Sequence, residues 1–260
     1  MATPSELLDQ LVTWAREIAW VDWVALGGSL GRGAGDGLSD LDAGVGILVG
    51  PGRFDELRDV TLAAVSEFAD VADSIIQPLG TEDRVADHLI VQYRDGRQLS
   101  LVVSRAEQSR GLAPQSLALV DKSGRLQAQR PASEFDPDAG TLREWSFVAW
   151  ISLGDAAKHA SRGSGWRAVQ SLTEARDLAW QLFVAGHGVT FPSFGAVSVQ
   201  NAGLADEAGM DATLPASLAR DDLLAAVRAL ASVLVNLTAQ RAVDGLRDVA
   251  MRRIDELGAR

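Results

Sequence analysis

The spacing of apolar residues divides the chain into two parts with different periods. In the first, Leu7, Leu8, Leu11, Ala15 and Ile18 recur at helical spacing behind Thr3-Pro4-Ser5-Glu6. That tetrapeptide is a capping-box pattern with proline at the first helical position, so it predicts a helix running to about residue 19. Apolar segments at 21–26 and 41–49 read as strands on either side of a glycine-rich loop, and 54–69 reads as a second helix. Runs at 88–93 and 98–103 read as two further strands joined across Arg94-Asp95-Gly96-Arg97, where Asp-Gly is a strong hairpin-turn signal.

The period then breaks. Residues 129–140, QRPASEFDPDAG, mix prolines, small residues and acids without a repeat, as a linker does. Beyond it the pattern is helical. Thr141-Leu142-Arg143-Glu144 reads as a capping box opening a helix toward residue 160, followed by helices at 166–185, 218–239 and 243–257. The predicted class is α+β: a mixed β-sheet with covering helices over 1–131, a linker over 132–139, and an α-helical bundle over 140–260.

Composition changes this picture only by exclusion. A hydrophobic fraction of 47% and a charged fraction of 23% are those of a globular protein. The chain has no cysteine, which removes disulfides, thiolate metal sites and a cysteine nucleophile. With three histidines, His88, His159 and His187, a histidine-built metal site is not expected. The first residues, MATPSELLDQL, lack the basic and apolar regions of a signal peptide, and no apolar run has the length of a membrane span, so a cytoplasmic protein without a membrane partner is expected. The net charge of −11 argues against nucleic acid as a partner, because binding there depends on lysine and arginine neutralising phosphates. The same charge favours encounter with a small polycation, although acidic charge also serves solubility alone.

The chemistry concentrates between residues 25 and 45, ALGGSLGRGAGDGLSDLDAGV. Glycines let backbone N–H groups approach phosphate oxygens, and residues i and i+2 of a strand share a face, so Asp40 and Asp42 present parallel carboxylates. Mg²⁺ is commonly bound by one or two carboxylates together with substrate phosphates. A P-loop is excluded, since Gly28 to Gly33 has the spacing but Ala34 stands where lysine is required, and no GxGxxG string occurs. The plain alternative is a glycine-rich hairpin with two solvated aspartates.

Leu26-Gly27-Gly28 followed after eleven residues by Asp40-Leu41-Asp42 resembles the signature of the nucleotidyltransferase superfamily that includes DNA polymerase β. Within it the closest likeness is to the antibiotic nucleotidyltransferases, which adenylylate hydroxyls of aminoglycosides and related compounds. The halving into a sheet domain and a helical domain is similar too, more loosely, through Arg162-Gly163 followed by Trp166, Ala168, Leu172 and Arg176. The resemblance implies that Gly28 and Ser29 bind the triphosphate, that Asp40 and Asp42 hold Mg²⁺ and carry catalysis, and that ATP is the co-substrate. It also implies a third carboxylate on a neighbouring strand, and here the chain departs from the family: Ser100, in QLSLVVS, stands where members have Asp or Glu. A serine hydroxyl is a poor metal ligand and no general base near neutral pH.

The helical part offers further candidates. Asp155, Lys158, His159 and Arg162 fall at i, i+3, i+4 and i+7 on one predicted face, and Lys158 is one of only two lysines, the other being Lys122. Lys158 is a candidate nucleotide ligand, its alternative being a solvated stripe of ion pairs. Glu174 and Asp177, on the next helix, are candidates for binding a cationic acceptor or supplying a base. Trp14, Trp20 and Trp23 read as core, His88 and His187 have no evident partner, and Asp95 is expected to face solvent in its turn. The expected function is transfer of AMP from MgATP to a hydroxyl of a small, cationic acceptor such as an aminoglycoside. Two alternatives stand beside it: a nucleotide-binding pseudoenzyme that has lost its third carboxylate, and an antitoxin-like nucleotidyltransferase acting on a protein, which the fused helical part fits less well.

Overall fold

A computed structural model describes residues 3–50, 52–80 and 84–258. The chain forms two compact units, Met1–Pro131 and Ala132–Arg260. The first is a mixed sheet with helices and the second is helical, an α+β architecture.

In the first unit the elements run α1 (Pro4–Glu17), β1 (Val21–Leu26), α2 (Gly28–Gly31), β2 (Leu41–Ile47), α3 (Phe54–Ser66), β3 (Val71–Pro78), β4 (Ala86–Tyr93), β5 (Gln98–Arg105) and β6 (Leu117–Asp121). The sheet order is β3-β4-β5-β2-β1-β6. Only β2 and β5 pair in parallel; the other neighbours are antiparallel. Strand alternation sorts the side chains onto two faces. Leu26, Leu41, Ala43, Val45, Leu89, Val91, Leu99, Leu101 and Val103 join Leu7, Leu11 and Ala15 of α1 and Phe54, Leu57 and Val65 of α3 in one core. The opposite face carries Trp23, Asp42, Gly44, Gly46, Ser100, Ser104 and His88, as the strand register requires.

Polar groups fasten the helices to this sheet. Lys122, just past β6, donates from Nζ to the carbonyls of Ala15 (2.8 Å) and Ile18 (2.7 Å) at the end of α1, where helix carbonyls lack intrahelical partners. Arg58 of α3 pairs with Asp87 of β4 at 2.7 Å. Asp22, 2% exposed, is held by Arg125 at 2.9 Å and by the Ser123 hydroxyl at 2.6 Å.

The expected helices and strands of this unit are present, and two strands are added at its edges. β3 is exposed on both faces for most of its length, so it has no alternation to read. β6 is short and likewise half solvated. The second expected strand ends at Ile47 rather than 49, and the first helix at Glu17.

The second unit contains α4 (Ala139–Ser161), α5 (Gly165–Gly186), α6 (Ala196–Asn201), α7 (Arg220–Leu237) and α8 (Asp244–Gly258). Its core joins Trp150, Leu153, Leu172, Leu182, Leu230 and Ile254 with many alanines, among them Ala149, Ala156, Ala168, Ala175 and Ala179. Fully buried leucine side chains contribute about 1.5–3 kcal/mol each relative to exposure. Trp150 is fully buried and satisfies its indole by donating to Thr238 Oγ1 at 3.1 Å. The start of α4 differs from expectation: the N-cap is Asp138, whose carboxylate accepts from the Thr141 N–H at 2.7 Å, so Thr141 is capped rather than capping. Among the described residues no helix is long and apolar enough to cross a membrane.

Candidate active site

β1 ends at Leu26 and the chain turns through Gly27 and Gly28. The Gly27 N–H donates to the Asp42 carbonyl at 2.9 Å, which ties the turn to the start of β2. Gly28 has a φ of +60°, and a Cβ there would overlap the Asp42 carboxylate. Only glycine gives this close approach in a left-handed conformation. Ser29 follows directly, and Gly31 is buried where a side chain would meet the Leu26 carbonyl. Loop 32–40 then carries the chain to Asp40, whose Oδ2 accepts from Gln98 Nε2 at 3.4 Å.

Leu41 opens β2 and points into the core, so the Asp42 carboxylate lies on the opposite face, and Asp40, just ahead of the strand, is close enough for its charge to act on Asp42. Burial pushes the Asp42 carboxyl above its ordinary value. A hydrogen bond from the Ser100 hydroxyl opposes this, the like charge of Asp40 adds to it, and His88 and Arg32 pull it down. Ser100 faces Asp42 directly across the β2–β5 pair. His88 of β4 completes the row, with Nε2 2.8 Å from Ser100 Oγ. Asp95 stays in its turn, paired with Arg97 at 2.7 Å, as expected of a structural residue.

Among the described residues no three His, Asp or Glu side chains gather as a metal cluster. A cation here would rest on two carboxylates and complete its shell from ligand oxygens and water, which is the habit of Mg²⁺. The raised Asp42 carboxyl beside Asp40 fits such a cation, because a positive charge relieves both burial and repulsion.

His88 is the participant that sequence reasoning missed. Pairing outward from the Asp95-Gly96 turn sets Gln92 opposite Gln98 and Ile90 opposite Ser100, which leaves His88 two residues further on the same face. The signal was present in the register of the hairpin. Trp23, expected in the core, is 8% exposed but lies on the site's face, spread over Gly44 and Gly46; a side chain at 46 would collide with the indole and one at 44 would crowd it. Its buried Nε1 has no hydrogen-bond partner, and the residue lines a cavity of about 160 Å³ with Ser104, Arg110 and Ser116.

In the second unit the candidates occupy two separate cavities. Glu174 and Asp177 of α5 line an open cavity of about 600 Å³ with Glu144 and Trp145 of α4. Glu174 Oε2 accepts from the Ser152 hydroxyl at 2.8 Å. Lys158 lines the other, about 330 Å³, with Arg162, Arg220 and Arg253, and pairs with Asp155 one turn earlier. His159 does not fit the alternative of a solvated stripe: it is buried, and burial with the nearby charges of Arg167 and Lys158 holds its imidazole below the usual value.

No protein-family model and no curated protein sequence matches the chain. Solved structures similar to it include an aminoglycoside 6-adenyltransferase from Bacillus subtilis, 11% identical over 99% of both chains with a TM-score of 0.43. Another is a nucleotidyltransferase-like protein from Exiguobacterium sibiricum, 13% identical over 98% of this chain and 87% of that one with a TM-score of 0.42. At such identities and TM-scores neither likeness assigns an activity to this chain.

Proposed function

We propose that this chain transfers a nucleoside monophosphate, AMP from MgATP, to a hydroxyl of a small cationic acceptor such as an aminoglycoside. The observation that carries the reading is the Gly28 turn seated against the Asp42 carboxylate, with Asp40 beside it on the open face of a sheet. In this reading the backbone of Gly28 and Ser29 and the Ser29 hydroxyl bind phosphate oxygens. Mg²⁺ held by Asp40 and Asp42 would supply charge neutralisation on the triphosphate. Lys158, in the company of Arg162, Arg220 and Arg253, is assigned to phosphate as well. Glu174 and Asp177, joined by Glu144 and the flat ring of Trp145, suit the amino groups and sugar faces of a polycation.

The second reading, nucleotide binding without transfer, is favoured by Ser100 in the place of a carboxylate. Calorimetric titration of ATP, with Mg²⁺ and again with chelator, tests what the two readings share. Metal-dependent binding that is lost in Asp42→Asn is the expected result; no binding in either condition sinks both. Transfer of radiolabelled AMP to an aminoglycoside panel then separates them.

A further inference from the structure

The transfer reaction needs a group to take the acceptor's hydroxyl proton, and among the described residues no cluster of three carboxylate or histidine side chains gathers around Asp42 to do it. Asp87 is near in sequence but is paired with Arg58. Asp95 is held in its turn by Arg97. What stands in place of the carboxylate is a hydrogen-bonded row: Asp42, the Ser100 hydroxyl, and His88 Nε2 at 2.8 Å.

The geometry points to His88 and Ser100 acting together as the proton-accepting element of this site, a role that rests on the nucleotidyl-transfer reading. Ser100 has one hydroxyl proton and two neighbours that can accept it, the Asp42 carboxylate and a neutral imidazole nitrogen. Turned toward Asp42, the hydroxyl holds that carboxylate in place. Turned toward His88, its proton lies on the path to Nε2, and an oxygen lone pair is left facing the sheet's open side. The acceptor's hydroxyl oxygen then forms its bond to the α-phosphorus of ATP while its proton passes to Ser100 Oγ. The Ser100 proton passes to His88 Nε2, which becomes imidazolium. The bond from the α-phosphorus to the bridging oxygen breaks, and its electron pair leaves with pyrophosphate. Serine alone is too weak a base for this step, and histidine is a base of suitable strength near neutral pH.

The test uses His88→Gln and Ser100→Ala, followed by the double variant Ser100→Asp with His88→Gln. Glutamine can still donate to Ser100 Oγ but cannot store a proton. Each protein is checked for folding by circular dichroism and for MgATP affinity by calorimetry. Pyrophosphate release is then followed with an aminoglycoside panel and with water as the only acceptor. The expected result is a fall in kcat of about 10²- to 10⁴-fold in both single variants, the usual weight of a general base, with KM for MgATP unchanged in His88→Gln, which leaves the Ser100–Asp42 hydrogen bond in place. The double variant recovers much of the loss, because a carboxylate on β5 makes the histidine dispensable. Full kcat in His88→Gln overturns the inference and leaves the transfer reading intact. MgATP binding in the unaltered protein without pyrophosphate release to any acceptor, water included, overturns it in favour of nucleotide binding alone. Absence of MgATP binding removes the transfer reading and this inference with it. If His88→Gln does not fold, Ser100→Ala and the rescue decide: unchanged kcat in Ser100→Ala, or no recovery in a folded double variant, counts against the pair.

Discussion

Gly28 is the residue on which the candidate site turns, because its backbone occupies space that any side chain would need. A left-handed backbone costs a non-glycine residue roughly 1–2 kcal/mol, and the Asp42 carboxylate stands where the Cβ would go. Gly28→Ala is therefore expected to displace the carboxylate as well as strain the turn. The first unit should stay folded with modestly reduced stability, while MgATP affinity drops at least about tenfold, corresponding to 1.4 kcal/mol. Gly33 also has a positive φ, but its Cβ position meets nothing, so Gly33→Ala is the control: backbone strain without the carboxylate clash. Equal affinity losses in the two variants would show that loop strain, rather than contact with Asp42, sets binding.

Among the elements, α3 and β4 are joined by the chain's one tyrosine. The Tyr93 hydroxyl donates to the Val65 carbonyl at 2.7 Å, and burial pushes its ionisation up to about 12. An unfolded tyrosine ionises near 10. The phenol's contribution is thus intact below pH 10 and is lost as pH rises from 10 to about 12. Tyr93→Phe should cost about 1–2 kcal/mol at pH 8 for the buried hydrogen bond. The gap to the unaltered protein should close as pH rises through that window. Tyrosinate absorbance comes from this residue alone, so a spectrum titrating near 10 in the folded state would refute the assignment. The elements also show what could be read in advance. β2, β4 and β5 were legible because one face of each is buried and their buried residues largely alternate, and β1 because it is a short apolar run buried almost throughout. The edge strands β3 and β6 were not, since a solvated edge has no alternation to betray it. At the site, Gly28, Asp40 and Asp42 could be read from local spacing. The His88–Ser100 bond depends on two strands in register and becomes visible only when the hairpin is paired residue by residue. Asp138 was hidden because a cap three residues ahead of the helical repeat looks like linker.

At the scale of the whole molecule, charge has two levels that act on the two proposed ligands differently. The chain as a whole carries −11, and the cavity with Glu144, Glu174 and Asp177 adds acidic groups of its own. A polycationic acceptor is attracted by both the long-range field and the cavity. MgATP is repelled by the net charge, while Lys158, Arg162, Arg220 and Arg253 form a local cluster of the opposite sign. Salt screens these terms over about 10 Å at 0.1 M and about 3 Å at 1 M. Raising salt removes two attractions for the acceptor, but one attraction and one repulsion for the nucleotide. Between about 0.05 and 0.5 M salt, KM for an aminoglycoside should rise several-fold, while KM for MgATP changes by less than about twofold. Glu174→Gln with Asp177→Asn should raise the acceptor KM at low salt and flatten its salt dependence, leaving the nucleotide's unchanged. An acceptor KM indifferent to salt in the unaltered protein would mean that the acidic surface serves solubility alone and that the acceptor is not a polycation.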